Sequence, residues 1–377
     1  CTPRLFSVGL DDRAARGHTA PIMSDLGRVL VAMSGGVDSS VAAALLHERG
    51  VPVVGVTLHL WDAGPGQAVG RCCAPEDRED ARLTCDHLGV PHYVFDERED
   101  FREKVVDPFV ADYRAGRTPS PCVHCNQQVK LGRLLEIAEE LGCAHVCTGH
   151  YARIERDADG APRLLRGRDR TKDQSYFLYG VPGEVLSRLI LPLGDLEKGR
   201  TREEGRRLGV PNWDKGDSQE LCFVPDGDVG GFVDRETGEA RRGAIVDEAG
   251  QALGAHDGVH RFTVGQRRGL GLAGGGEPKY VLRIVPESEE VVVGPREALF
   301  AERARAESVI WTGEAPDAPF EAEVQIRYRH RAAPAQVTPI PGGFEARFHE
   351  PQRAIAPGQA AVVYRGEQVI GGGLLAN

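Results

Sequence analysis

The chain has 377 residues, 41% of them apolar and 27% charged, which is too long for one ordinary hydrophobic core and points to two or three domains. No apolar run is long enough to cross a bilayer, and a formal net charge of −10 excludes a protein that coats nucleic acid nonspecifically, while leaving room for a local basic face. Nine cysteines make an odd count for a secreted disulfide framework, and with no visible signal peptide they point to a reducing cytoplasm, where thiols serve as ligands or reagents.

Residues 1–22 are polar and lack periodicity, so they read as a disordered extension ahead of Met23, a natural start. The apolar run Val29 to Met33 predicts a buried strand, and Val41 to Leu46 a helix stopped by Gly50. Between them lies Ser34-Gly35-Gly36-Val37-Asp38-Ser39-Ser40, followed by a second strand from Val53 to Leu58. Two glycines let the backbone turn tightly, and the hydroxyls and N–H groups that open the helix face one hollow, an anion cradle. No Gly-Lys-Ser/Thr follows, which separates it from the Walker loop, and the GxGxxG spacing of dinucleotide folds is absent. The string resembles the PP-loop of ATP pyrophosphatases, enzymes that cut ATP into AMP and pyrophosphate.

Further on, Trp61 to Gly70 is a Gly-rich loop, Glu76 to Leu88 reads as a helix, and His92 to Phe95 as a short strand. Phe101, Val105, Phe109 and Tyr113 recur every four residues, the core stripe of another helix. The prolines of Thr118-Pro119-Ser120-Pro121-Cys122-Val123-His124-Cys125-Asn126 predict an exposed, mobile loop, with Asn126 capping the helix whose stripe is Val129, Leu134, Leu135, Ala138 and Leu141. The strand His145 to Thr148 then delivers Gly149 and His150 to its C-terminal end, where open parallel sheets bind ligands. Strand and helix alternate throughout this part, which predicts a doubly wound α/β domain over 23–222. Beyond Cys222 helical periodicity fades and short alternating runs appear, which predicts a small β domain at 223–297 and a β-barrel-like domain at 298–377.

Cys122 and Cys125 have spacing suited to a metal, a redox pair, or one nucleophile with a bystander. A structural zinc would need a second pair, and the doublet Cys72-Cys73 has the wrong spacing. Cys222, about a hundred residues on, reads by itself as a small buried apolar residue in a mobile polar segment that starts at Asp217. Three basic clusters stand out in an acidic chain: Arg163 to Lys172, Lys198 to Arg207, and Arg327 to Arg331.

The ordered combination of the loop with Gly-Arg-Thr-Pro-x-Pro-Cys-x-x-Cys-Asn, Thr-Gly-His-Tyr (148–151), Lys-Asp-Gln-Ser-Tyr-Phe-Leu (172–178), Asp-Ser-x-x-x-Cys-Phe (217–223), Gly-Gln-Arg-x-Gly-Leu-Gly (265–271) and Pro-Gly-Gln (357–359) resembles the tRNA-specific 2-thiouridylase family. The resemblance implies an enzyme that adenylates the 2-oxygen of a wobble uridine with ATP and Mg2+ and replaces it with sulfur. It matches Ala32, Met33, Ser34, Gly35, Gly36, Val37, Asp38, Ser39, Leu58 and Gly149 to ATP-binding positions, with Asp38 helping to hold magnesium. It matches Ser120, Pro121 and Cys122 to the strip beside the target base, and His150, Lys172, Asp173, Gln174, Arg327, Tyr328 and Gln359 to tRNA contacts. Cys222 would carry a persulfide and Cys125 act as nucleophile, freeing sulfide by forming a disulfide. Many members carry Asp where this chain has Cys122, so Cys122, Cys125 and Cys222 could instead hold a 4Fe-4S cluster. The implied partners are tRNA and a persulfide relay protein or sulfide donor, the enzyme being a cytoplasmic monomer. The competing readings are another PP-loop tRNA-modifying ATP pyrophosphatase and a non-catalytic RNA-binding relative.

Overall fold

A computed structural model describes residues 26–62, 75–217, 221–224, 226–238, 241–272 and 277–376. The readings of residues 1–22, of Met23, of Cys72-Cys73, of most of the Trp61–Gly70 loop and of positions 218–220 in the Asp217–Cys222 segment lie outside the described residues.

The apolar runs β1 (Val29–Ala32) and β2 (Val53–His59) form the middle of a parallel sheet with β3 (His92–Asp96), β4 (His145–Cys147) and β7 (Leu189–Ile190), in the order β3-β2-β1-β4-β7. β1 and β2 are buried almost end to end, as strands covered on both faces must be. Helix α1 (Val37–Glu48) leaves the end of β1 and buries Val37 and Val41 through Leu46, while α2 (Pro75–Leu88) follows β2. The chain winds from β1 outward through β2 to β3, then returns to β4 on the other side. The C-terminal ends of β1 and β4 therefore flank a topological switch point, the crevice where such sheets hold ligands.

Two long helical runs carry the chain from β3 to β4, over 98–114 and 121–140, and each contains a π-helical turn, at Arg102–Val106 and Cys125–Lys130. The second run overturns the exposed loop expected through Asn126. Pro121 occupies the first helical turn, where a fixed φ and a missing N–H cost nothing, so the second proline starts the helix it was expected to prevent. Cys122 lies exposed on that turn, whereas Cys125 and Asn126 are buried. Asn126 caps no helix; its Nδ2 donates to the Phe177 carbonyl at 3.4 Å.

Strands β5 (Ala152–Arg156) and β6 (Pro162–Arg166) form a hairpin inside the nucleotide-binding part of the sequence, yet they join a different sheet. That sheet comprises β12 (Phe300–Trp311), β13 (Phe320–Gln325), β14 (Ala333–Ile340), β15 (Gly343–Arg353), β16 (Ala360–Arg365) and β17 (Gln368–Leu375). The order β12-β15-β14-β13-β16-β17 is closed by β12 pairing with β17, giving a six-stranded barrel, and β6 adds to it through Gln368 of β17. Between the two in the sequence comes a four-stranded sheet of β8 (Gly243–Val246), β9 (Ala252–His256), β10 (Tyr280–Val285) and β11 (Glu290–Gly294), in the order β10-β11-β8-β9. The sequence reading missed the helix Val229–Thr237, which two glycines disguise. Its signals were Asp228, whose carboxylate accepts from Gly231 N at 2.9 Å, and Gly238, which closes the helix at φ +68°.

One apolar core runs from the parallel sheet into the barrel, joining Leu30, Val54 and Phe101 to Tyr176, Val362, Tyr364 and Val369. The turn Pro357-Gly358-Gln359 docks on the connection between the two helical runs, just before Cys122. Thr118 N donates to Pro357 O at 2.8 Å, Gln359 Nε2 donates to Thr118 O at 2.8 Å, and a Cβ on Gly358 would stand 2.9 Å from Arg117 Cβ.

Candidate active site

The loop between β1 and α1 is tied down from every side. Met33 N donates to Val56 O at 2.7 Å and Met33 O accepts from Thr57 Oγ1 at 2.8 Å, which fixes the loop's entry to β2. Ser39 Oγ accepts from Ser34 N at 3.2 Å and donates to Gly36 O at 3.1 Å. Gly35 has φ +71°, and an added Cβ would lie 2.0 Å from Asp77 O; its carbonyl accepts from Asn212 Nδ2 at 2.9 Å and Lys215 Nζ at 3.1 Å. No side chain caps α1, so the N–H groups of its first turn remain available to an anion in the crevice.

Gly149, at the end of β4, packs on the start of α1 so closely that a Cβ would come within 2.7 Å of the Asp38 carbonyl carbon and 2.8 Å of Ser39 N. Both neighbours are backbone and neither can rotate away. Gly149→Ala is therefore expected to lower stability in urea unfolding by about 1–3 kcal/mol and to weaken nucleotide binding by displacing the loop.

Charge in the crevice is arranged as a chain. Lys198 Nζ donates to both oxygens of Asp38, at 2.7 and 2.9 Å, and lies 3.1 Å from Asp217 Oδ1. Asp217 also receives Lys172 at 2.9 Å and Arg202 at 2.7 Å. Burial pulls the Asp217 carboxyl upward, but hydrogen bonds from Lys172 and Lys198 outweigh it and hold its pKa at about 2. The stabilisation this gives is complete above about pH 4, the ordinary carboxylate value, and fades as pH falls toward 2. Tyr151 Oη stands 2.9 Å from both Asp38 Oδ1 and Thr201 Oγ1, and burial, with the Asp38 charge, pushes its phenol well above the usual range.

These elements open on a cleft of about 1160 Å3. Its wall includes Ala32, Met33, Ser34, Gly36, Val37, Asp38, Ser39, Leu58, Gly149, His150, Pro121, Cys122, Cys125, Cys222, Lys172, Asp173, Gln174 and Tyr328. Most of the residues singled out in the sequence thus meet in one place. Gly35 faces α2 instead, Ser120 is buried, Arg327 Nη1 donates to Arg353 O at 3.1 Å, and Gln359 holds the Thr118 backbone. Asp173 reaches the wall with its carboxylate already accepting from Gly167 N, Ser175 N and Oγ, and Arg166. Gln174 Oε1 accepts from Tyr151 N at 2.9 Å. Burial, with the Lys130 charge, lowers His150 to about 3, so the ring is neutral at pH 7, with Nδ1 2.8 Å from Thr148 Oγ1.

Among the described residues Cys85, Cys122, Cys125, Cys143, Cys147 and Cys222 form no disulfide. Burial pushes the Cys85 thiol up to about 12 and raises Cys143 and Cys147, as expected of inert core thiols. Cys222 precedes Phe223, whose ring is locked against Phe109 at 5.0 Å and Phe232 at 5.4 Å between centroids. Among the described residues no group of three or more His, Cys, Asp or Glu stands in metal-holding geometry. The Cys122, Cys125 and Cys222 thiols line the same cleft. For magnesium the chemistry is apt: Asp38 offers a hard carboxylate oxygen beside the loop.

Several cations of the basic clusters are already paired, such as Arg207 with Glu48 and Glu204, and Arg170 with Glu367. Arg329 and Arg331 line the cleft beside Arg170, paired with Glu367, and Lys172, paired with Asp217. Beside them Tyr328 stacks on Phe177 with centroids 4.4 Å apart.

A parallel sheet with a lysine-free glycine loop at its switch point, facing two thiol-bearing elements, defines a PP-loop nucleotide-binding domain. Residues 27–226 match the profile described as the tRNA methyl transferase HUP domain, 230–295 that of the tRNA methyl transferase PRC-barrel domain, and 302–375 the aminomethyltransferase beta-barrel domain. The tRNA-specific 2-thiouridylase MnmA of Sorangium cellulosum (strain So ce56) is 52% identical over 370 residues, covering 96% of this chain and 95% of that protein. Its counterpart in Geobacter metallireducens (strain ATCC 53774 / DSM 7210 / GS-15) is 47% identical over 353 residues, covering 92% and 96%. A solved 4-thiouridine synthetase–RNA complex with bound ATP aligns with a TM-score of 0.34 and 18% identity over 56% of this chain and 50% of that one. The chain belongs to the tRNA-specific 2-thiouridylase family. Among the described residues no helix is long and apolar enough to cross a membrane.

Proposed function

We propose that this chain uses ATP to replace the 2-oxygen of a tRNA wobble uridine with sulfur. The observation that carries the reading is the single cleft on which the pyrophosphate-type loop, Cys125, Cys222 and a basic, aromatic rim converge. A uracil carbonyl oxygen is a poor leaving group, so it first attacks the α-phosphorus of ATP; the bond to the β-phosphate oxygen breaks and pyrophosphate departs on the loop N–H groups. Magnesium, held with the help of Asp38, would neutralise phosphate charge there.

Sulfur then arrives as a persulfide on Cys222, loaded by a persulfide relay protein or another sulfur donor. The Cys125 thiolate attacks the inner sulfur of that persulfide, the sulfur–sulfur bond breaks toward the outer atom, and the released hydrosulfide adds to C2 and expels AMP. A Cys125–Cys222 disulfide remains, and an external thiol supplies the two electrons that reopen it. Cys122, exposed on the first turn of the helical run that carries Cys125, lines the cleft with Pro121.

The target base has to leave its stack, and the Tyr328–Phe177 pair offers an aromatic surface among cations that meet phosphate. Affinity for tRNA is expected to fall linearly with log salt, at a slope set by a few phosphates; salt-independent affinity would sink the RNA-binding reading. The direct test is incubation with tRNA, ATP, Mg2+ and a persulfide donor, followed by nucleoside mass spectrometry. One AMP and one pyrophosphate per 2-thiouridine is expected, and nucleotide turnover with no thiolated nucleoside would overturn the assignment.

A further inference from the structure

The loop that holds pyrophosphate in this reading contains no cation: its residues are Ser34, Gly35, Gly36, Val37, Asp38, Ser39 and Ser40. A leaving pyrophosphate carries several negative charges, and backbone N–H groups bring it hydrogen bonds but no formal positive charge. Two ammoniums from elsewhere in the chain reach the loop: Lys215 Nζ, on Gly35 O at 3.1 Å, is held by the carboxylates of Asp77 and Asp80, whereas Lys198 reaches the loop's own carboxylate, Asp38. Lys198 opens the helix Lys198–Arg207, its backbone N–H donates to Asp169 Oδ2 at 3.0 Å, and its Nζ lies on both oxygens of Asp38 with the Tyr151 ring centroid 5.7 Å away. The side chain is only 13% exposed and lines the cleft.

We propose that Lys198 is a phosphate-binding catalytic residue, the cation this chain supplies in place of a loop lysine. The assignment rests on the reading of function above. Charge arithmetic supports an exchange of partners. Lys198 bridges Asp38 and Asp217, but Asp217 also holds Lys172 and Arg202, so it stays neutralised when Lys198 turns away. Asp38 loses its ammonium in the same movement, which frees a carboxylate for the magnesium that accompanies the nucleotide. A polyanionic phosphate outbids a single carboxylate for one ammonium. As uracil oxygen bonds to the α-phosphorus and the link to the β-phosphate oxygen breaks, the electron pair stays on pyrophosphate, and Lys198 stabilises it by charge and hydrogen bonding with no proton transfer.

The test is calorimetric titration of inorganic pyrophosphate into the full chain in excess Mg2+. Lys198→Met is expected to weaken binding about ten- to a hundredfold, the range that follows from losing one hydrogen bond to a charged group. Lys198→Arg should recover most of it, and tRNA affinity should stay within about twofold in both. A Lys198→Met protein that melts like the unsubstituted chain and binds pyrophosphate equally well would overturn the proposal, as would an unsubstituted chain that does not bind it. Should Lys198→Met misfold because Asp38 is left unpaired, the double variant Asp38→Asn, Lys198→Met removes that charge. Compared with Asp38→Asn alone, the double variant is expected to bind more weakly still; equal affinity would show that Lys198 serves only Asp38. The titration needs no tRNA, so failure of the unsubstituted chain to thiolate would sink the reading of function without altering the phosphate result.

Discussion

A Cys222→Ala protein is expected to consume ATP in the presence of tRNA and release pyrophosphate, yet to yield no 2-thiouridine above about one part in a thousand of the normal rate. The split follows from the geometry. Cys222 and the PP-loop share a cleft but sit on different elements, Cys222 anchored by the aromatic cluster at Phe223 and the loop anchored by β2 and α2. Removing one sulfur disturbs neither Phe223 nor the loop, so adenylation survives while sulfur has no carrier. Cys125→Ala should give the same split, because the persulfide then lacks the thiolate that releases its outer sulfur. Pyrophosphate release and nucleoside mass spectrometry on one sample separate the two steps. Normal thiolation by Cys222→Ala with a protein persulfide donor would show that sulfur takes another route.

Asp38→Ala should fail at the earlier step, with tRNA-dependent pyrophosphate release falling about a hundred- to a thousandfold, the size of effect seen when one preorganised electrostatic group is removed from an active site. Asp38 is the only partner among the described residues that joins Lys198 to the loop's helix, and it also accepts from Tyr151. Without it the ammonium falls back on Asp217, and the carboxylate beside the phosphates is gone. A persulfide loaded on Cys222 should be unaffected, which can be read by mass spectrometry of the intact protein. Pyrophosphate release at the normal rate would remove Asp38 from the chemistry.

Much of this site can be read from local chemistry. The strand, loop and α1 are legible because apolar runs and glycines act over a few residues, and the loop lies where those residues place it. The Cys122 stretch misled because two prolines signal a break, while only the position of Pro121 decides whether it stops a helix or starts one. The helix Val229–Thr237 hid behind glycines, although Asp228 and Gly238 marked its ends. Lys198 was marked in the sequence only as the first member of a basic cluster, with nothing to set it apart from its neighbours. It sits in a run of exposed-looking charges, and only the tertiary fold brings it 160 positions back along the chain to Asp38. The same holds for the β5–β6 hairpin, whose partners lie some two hundred residues later.

That hairpin, with the Gly358 turn seated on the connection before Cys122, makes the protein poorly divisible. A fragment ending where the nucleotide fold seems complete would keep the PP-loop but expose β6 as an unpaired edge, strip the shared core of Val362, Tyr364 and Val369, and leave Thr118, in the connection before the Cys122 helix, without the Pro357 carbonyl and the Gln359 side chain. The barrel is thus a co-author of the catalytic pocket rather than an appendage for holding RNA. Exchanging it for the barrel of a relative would change the alignment of the thiols as well as the substrate surface.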